Sequence, residues 1–276
     1  MAPGAARALD GRVAVVTGGS RGMGRAIALR LARAGAHCAI TYRRSEQLAR
    51  EVVAAIEQEG VKGLAMPLEL GEPSGVRPAV ERIGETFGRI DILIASAAAT
   101  AFRPMLEQKA HNIRRTFAIS VDAFIAAVQA AVPFMRGRSG RIVAVSGIDS
   151  FQAMDGHGVL GGAKAAMESL VRAFAFELGP EGITVNAVNP GFVATDSSRT
   201  YVEGGLDQAY ERAVAELTAL TPVRRIGTAE DVADCVAWIV SDGAGFLTGQ
   251  IIVLDGGLTI VSPLARLGRA EQEERQ

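Results

Sequence analysis

Short runs of consecutive apolar, often β-branched residues alternate along this chain with longer stretches whose apolar positions recur every three or four residues. The short runs read as strands buried on both faces, and the longer ones as helices packed against them. Residues 12–16 give the first strand, followed by 36–41, 61–68, 90–95, 140–146, 184–188 and 250–254. Between them a helix starts at Arg25 and ends at Gly35. Another is capped by Ser45 and stopped by Gly60, and a third opens at Pro73 in a first-turn position. Further helices cover 112–135, 156–178 and 229–241, and 192–220 reads as a mobile segment.

Strands alternating with helices predict an α/β fold: one Rossmann-like, doubly wound domain with a parallel seven-stranded sheet and helices on both faces. A chain of 276 residues without repeat or linker suits one such domain over 10–263. Residues 1–9 read as a flexible lead, and 264–276 as a polar tail expected to be disordered. Ligands of open parallel sheets sit beyond the carboxyl ends of the strands. That places the loops at 17–24, 41–45, 69–71, 95–99, 146–157 and 189–196 around one cleft.

The chemistry starts at Thr17-Gly18-Gly19-Ser20-Arg21-Gly22-Met23-Gly24, between the first strand and the first helix. Glycines there make a tight turn and let a ligand approach the backbone. The helix start offers unpaired N–H groups and the positive end of its dipole. In that position the pattern predicts a dinucleotide pyrophosphate site.

Composition narrows the field. A formal net charge of -1 supplies no basic field for nucleic acid. Cys38 and Cys235 are too few and too far apart for a disulfide framework or a metal site, which points to a reducing compartment. The lead has no apolar core of a signal peptide, and charged residues are read as interrupting every apolar run. The expectation is a cytoplasmic protein without a membrane.

Several motifs resemble those of the short-chain dehydrogenase/reductase family. Thr17-Gly18-x-x-x-Gly22-x-Gly24 is similar to its cofactor fingerprint. Asn186-Ala187-Val188-Asn189-Pro190-Gly191 with Thr195 is similar to the segment beneath the nicotinamide. Leu247-Thr248-Gly249-Gln250 and Asp255-Gly256-Gly257 are similar to its C-terminal signature. The resemblance implies cofactor contacts from Thr17, Gly18, Ser20, Arg21, Gly22, Met23, Gly24, Tyr42, Arg43, Glu69, Leu70, Ser96, Ala97, Ala98, Lys164, Pro190, Gly191, Val193 and Thr195. It also implies a homodimer or homotetramer packed through the alanine-rich helix around 123–132 and the helix after Lys164, although a monomer core would use the same residues.

The family's catalytic tetrad of Asn, Ser, Tyr and Lys is altered here. Lys164 remains, but Leu160 stands four residues earlier, where the tyrosine belongs. Gly147 occupies the serine position with Ser146 beside it, Ser120 replaces the asparagine, and Ala95-Ser96-Ala97-Ala98 replaces the turn after the fourth strand. In the enoyl-thioester reductases of the family the tyrosine lies seven residues before the lysine. That group includes enoyl-acyl-carrier-protein and 1-cyclohexenylcarbonyl-CoA reductases. The same spacing here gives His157. The words 97–102, 159–162, 242–245 and 255–261 also resemble the cyclohexenylcarbonyl branch.

The resulting expectations are specific. Lys164, His157, Ser146 and Ser120 are the candidate catalytic residues, with Asp149 or Asp155 in reach of orienting His157. An imidazole N–H could hold a thioester oxygen as charge builds on it, and histidine titrates near neutrality. The second strand ends Thr41-Tyr42-Arg43-Arg44 without a carboxylate, and Arg21 stands in the glycine loop, which favours NADPH through charge-assisted bonds to its 2′-phosphate. The predicted reaction is NADPH-dependent reduction of the C=C bond of an enoyl-CoA or enoyl-carrier-protein thioester, under a lid formed by 192–220. Two rivals stay open: a carbonyl reductase or dehydrogenase working through His157, and an NADP(H)-binding subunit without redox chemistry.

Overall fold

The computed structural model describes residues 7–205 and 209–262. One parallel sheet contains β1 (Val13–Thr17), β2 (His37–Tyr42), β3 (Gly63–Pro67), β4 (Ile92–Ala95), β5 (Arg141–Val145), β6 (Thr184–Pro190) and β7 (Ile251–Leu254). Their spatial order is β3-β2-β1-β4-β5-β6-β7. The helices are α1 (Gly22–Arg33), α2 (Glu46–Gln58), α3 (Val76–Phe87), α4 (Ala110–Phe117), α5 (Ala123–Met135), α6 (Gly158–Leu178), α7 (Asp196–Gly205), α8 (Tyr210–Leu220) and α9 (Ala229–Ile239). The doubly wound architecture is the one predicted.

The two-residue period of the strands sends alternate side chains into two cores. Ala14, Val16, Ile92, Ile94, Val143 and Val145 pack under α1, α2 and α9. Val15, Leu93, Ile142 and Ala144 pack under α3, α5 and α6. Chain direction across the sheet reverses between β1 and β4, opening a crevice at their carboxyl ends.

Several local readings change. The helix expected over 112–135 begins at Ala110 and contains a π turn, Ala118–Asp122, between α4 and α5. Its stretch Ala110–Met135 is long and apolar enough for a membrane span by composition, contrary to the reading that charges interrupt every apolar run. Half of that window is buried inside the protein, and α5 packs on α3. Ser45 makes no side-chain cap bond. Pro73 opens a single 3-10 turn, Pro73–Gly75, ahead of α3. Gly35 has φ +103 and would place a Cβ 2.9 Å from Asp10 Cα, so the first helix does require glycine after its end.

The segment read as mobile folds into α7 and α8, while 206–208 lie outside the described residues. So do 1–6 of the expected lead and the whole of 264–276. Leu9, which the sequence reading placed in the lead, is buried and donates its N–H to Ala34 O at 2.8 Å.

Candidate active site

The glycine loop between β1 and α1 is built for close approach. Gly18 and Gly22 have φ +69 and +55, where a side chain would strain the backbone. A Cβ on Gly24 would lie 2.3 Å from Gly18 O. No side chain caps α1 and no acidic residue occupies its first turn, so its leading N–H groups and dipole are left for an anion. This cradle fits a pyrophosphate. Thr41, which sequence reasoning did not select, shapes it: its Oγ1 accepts from Gly18 N at 3.3 Å and its carbonyl from Gly19 N at 3.0 Å.

Thr17 departs from its expected role and does not line the cavity. Its Oγ1 donates to Ile94 O at 3.4 Å and accepts from Ser96 N at 3.1 Å and Ala97 N at 3.4 Å. The hydroxyl ties β1 to the loop after β4 across the crevice. Every other cofactor position expected from sequence lines one cavity of about 790 Å³, from Gly18 through Tyr42, Leu70 and Ser96 to Lys164 and Thr195.

At one end of the cavity, Arg21, Arg43 and Arg44 are exposed guanidiniums. Glu69 lies beside them, 3.8 Å from Arg43 Nε and 3.4 Å from Arg115 Nη2. Partial burial pushes the Glu69 carboxyl up. The Gly71 N–H and the charges of Arg115 and Arg43 outweigh that and hold it below its ordinary value. Glu69 is therefore engaged by its neighbours as an anion.

The other end rests on β6. Gly191 approaches Asp255 so closely that a Cβ would meet Asp255 Cβ at 2.7 Å. The Asp255 carboxylate accepts from Gly257 N at 2.9 Å and Thr259 N at 2.7 Å. Asn186 Nδ2 donates to Leu247 O at 2.9 Å, and Thr248 Oγ1 accepts from Val185 N at 3.1 Å. The two late sequence motifs thus fasten β6 to its neighbour and fix Pro190-Gly191 in the cavity wall. Thr195 also opens α7, with its Oγ1 accepting from Ser198 N at 3.2 Å.

Lys164 is 4% exposed and donates to Val145 O at 2.5 Å. An ammonium has three donors, so two remain for a ligand. Burial lowers its pKa to about 8, while Asp149 and Glu168 act in the opposite direction.

The two expected serines do not reach into the site as donors. Ser146 lines the cavity, but its hydroxyl donates to Glu168 Oε1 at 2.6 Å. The same oxygen accepts from Asn189 Nδ2 at 2.7 Å. Ser120 sits in the π turn, buried without a hydrogen-bond partner and outside the cavity lining.

His157 and Asp149 take the central place. His157 Nδ1 lies 3.0 Å from Asp149 Oδ2. Asp155, the other residue in reach by sequence, offers its carbonyl to the Tyr201 hydroxyl at 3.0 Å instead. Two glycines make room for Asp149: a Cβ on Gly147 would lie 2.6 Å from its Oδ1, and one on Gly161 would lie 2.2 Å from its carbonyl oxygen. The carboxylate occupies the room a side chain at 147 would need.

Around His157 the walls are aromatic. Phe102 is tilted at 4.8 Å between ring centroids, and Tyr201 stands edge-on at 4.3 Å. Beyond them Met154, Phe192 and Tyr210 pack with Val202 and Ala213. Burial, followed by Asp155 and Asp149, pushes the Tyr201 phenol above its ordinary pKa. Sequence reasoning missed Tyr201. Its signal was the apolar pair Tyr201-Val202 within an otherwise polar helix.

Comparison with known proteins identifies the family. Residues 18–259 match the family model described as "Enoyl-(Acyl carrier protein) reductase". The chain is 38% identical to a 1-cyclohexenylcarbonyl-CoA reductase of Streptomyces collinus, covering 91% of this chain and 88% of that protein. It is also 33% identical to an L-rhamnose 1-dehydrogenase (NAD(P)(+)) of a Sphingomonas species, covering 91% and 98%. A crystal structure of a short chain dehydrogenase from Burkholderia cenocepacia in complex with NADP superposes with a TM-score of 0.84 at 37% identity, covering 91% and 99%. The chain belongs to the short-chain dehydrogenase/reductase family of oxidoreductases.

Proposed function

We propose that this protein reduces the C=C bond of an α,β-unsaturated acyl thioester, on CoA or a carrier protein, with NADPH as reductant. The observation that carries the reading is the Asp149–His157 pair. It stands at the alternative spacing before Lys164, while the usual proton-donor position holds Leu160. Leu160 lines the cavity and has no proton to give. The bound nicotinamide would supply hydride to the β-carbon. Negative charge then gathers on the thioester oxygen, and a donor already aimed there lowers the barrier. Asp149 is placed to accept a hydrogen bond from Nδ1–H of His157, which would leave Nε2 to meet that oxygen, as a donor when it carries a proton. The buried ammonium of Lys164 adds positive charge and donors on the cofactor side.

Arg21, Arg43 and Arg44 support the choice of NADPH, since all three line the cavity and could meet a 2′-phosphate with charge-assisted bonds, and β2 ends without a carboxylate. Arg115 supports it further by sharing the Glu69 carboxylate with Arg43. The aromatic and aliphatic chamber beyond His157 suits an apolar acyl group, with α7 and α8 as its lid. A homo-oligomer is part of the proposal, with the exposed Phe176 standing on α6, one of the two helices expected at its interface. Purified protein offered an enoyl-CoA with NADPH and with NADH tests both assignments. NADPH oxidation coupled to formation of the saturated thioester is the expected result.

A dehydrogenase reading is favoured by the same pair in its other state. With the proton on Nδ1, a neutral His157 could accept an alcohol proton at Nε2. Oxidation of a hydroxy substrate with NADP+, and no enoyl reduction, would select it.

A further inference from the structure

The reading of His157 requires Nε2 to meet a substrate oxygen. That nitrogen is buried and has no hydrogen-bond partner among the described residues, although His157 lies in the cavity wall. A buried polar atom left unpaired is unfavourable, and at a cavity wall it points to a partner that arrives with a ligand. The rings of Phe102 and Tyr201 flank the imidazole, and they also meet each other at 4.9 Å between centroids.

The two covering rings are held differently. Phe102 belongs to a loop fastened from several sides. Gln108 Nε2 donates to Ala101 O at 2.9 Å and to Arg103 O at 3.1 Å, and Arg103 N donates to Gly156 O at 3.3 Å. Tyr201 belongs to α7, a short helix that is polar apart from its Tyr201-Val202 pair. Its hydroxyl donates to Asp155 O at 3.0 Å, two residues from the imidazole it covers. Of the two rings, Tyr201 is tied by the single bond of its own hydroxyl.

We propose that Tyr201 gates the His157 site: its ring shields the imidazole, and its hydroxyl, through the Asp155 carbonyl, latches α7 shut. A substrate carbonyl reaches Nε2 only after that latch opens. The gate couples entry of the acyl group to exposure of the group that stabilises its charge, and it keeps water from His157 otherwise. This inference rests on the role proposed for His157, but it concerns access to that residue and can be tested without turnover.

The test is the rate of diethyl pyrocarbonate labelling of each histidine in the full-length protein, read by peptide mass spectrometry. His111 is exposed and serves as the reference, and His37 on β2 reports intact folding. In the wild type, His157 should react at least about tenfold more slowly than His111, as expected for a site exposed only by local opening. Tyr201→Phe keeps the ring and removes the latch, so labelling of His157 should rise about three- to tenfold, the worth of one hydrogen bond. Tyr201→Ala should bring His157 close to the His111 rate. Labelling of wild-type His157 as fast as His111, or an unchanged rate in Tyr201→Phe, overturns the proposal. Neither result depends on enoyl reduction, so the gate and the reaction can fail separately.

Discussion

Asp149 Oδ1 occupies the room that a side chain at residue 147 would need, 2.6 Å from the place of a Gly147 Cβ. A side chain at 147 would therefore have to displace the Asp149 carboxylate that meets His157. Restoring a side chain at 147 should damage the site. Gly147→Ala should cost about 1–3 kcal/mol of local packing. Because it displaces Asp149, it should lower kcat/KM for an enoyl thioester at least about tenfold, with the dissociation constant of NADPH nearly unchanged. Steady-state kinetics beside cofactor titration reads both values.

His157→Ala should reduce the rate of hydride transfer by about a hundredfold to a thousandfold, the usual loss when one donor to a developing oxyanion is removed. Single-turnover oxidation of bound NADPH isolates that step. Asp149→Asn should give an intermediate loss, because an amide can still hold the ring but carries no charge to support an imidazolium.

Lys164 sets an alkaline limit. Its pKa is lowered to about 8 by burial, against an ordinary 10.5. Its positive charge is thus lost as pH rises through about 8, and kcat/KM should fall there. In Lys164→Arg, whose side chain stays charged, that decline should disappear even if activity is low. Stability has the opposite sign. Between about pH 8 and 10.5 the folded chain binds fewer protons than the unfolded one, so the stability of the wild type relative to Lys164→Met should rise across that window. At about 1.4 kcal/mol per pH unit the gain has a ceiling near ~3 kcal/mol. Denaturant titrations at the two ends measure it.

Cofactor choice should follow the guanidiniums. Replacing Arg21 and Arg43 together with alanine should raise KM for NADPH by about tenfold to a hundredfold, as expected for two lost charge-assisted contacts. KM for NADH should barely move. Arg115→Ala should also weaken NADPH selectively, because Glu69 would then draw on Arg43 alone.

The architecture was legible in sequence because it is written in local periodicity. Most positions of the strand runs are apolar on both faces, and the glycine turn after β1 needs no distant partner to be recognised. Lys164 and His157 could be located by spacing from one another. What stayed hidden depends on residues far apart in the chain. Thr17 looks like a cofactor contact until β4 is placed beside β1 and its hydroxyl is found bonded to Ile94, Ser96 and Ala97. Ser146 looks like a donor to a ligand until Glu168, a full turn beyond Lys164, is found accepting its hydrogen bond. Asp149 and Asp155, eight and two residues before His157, are both within reach by sequence, and only the folded structure shows that the more distant Asp149 meets the imidazole, in room left by Gly147 and Gly161. The π turn that buries Ser120 leaves no signature in the apolar pattern of 112–135.

His157 is proposed to serve hydride addition to a conjugated thioester. The most direct measurement follows NADPH absorbance while wild type and His157→Ala are offered a 2-enoyl-CoA, 1-cyclohexenylcarbonyl-CoA and a 3-ketoacyl-CoA side by side. Oxidation of NADPH with an enoyl thioester alone, lost in His157→Ala, is the predicted result. Turnover of the keto substrate alone, or enoyl reduction that survives His157→Ala at the wild-type rate, would contradict it.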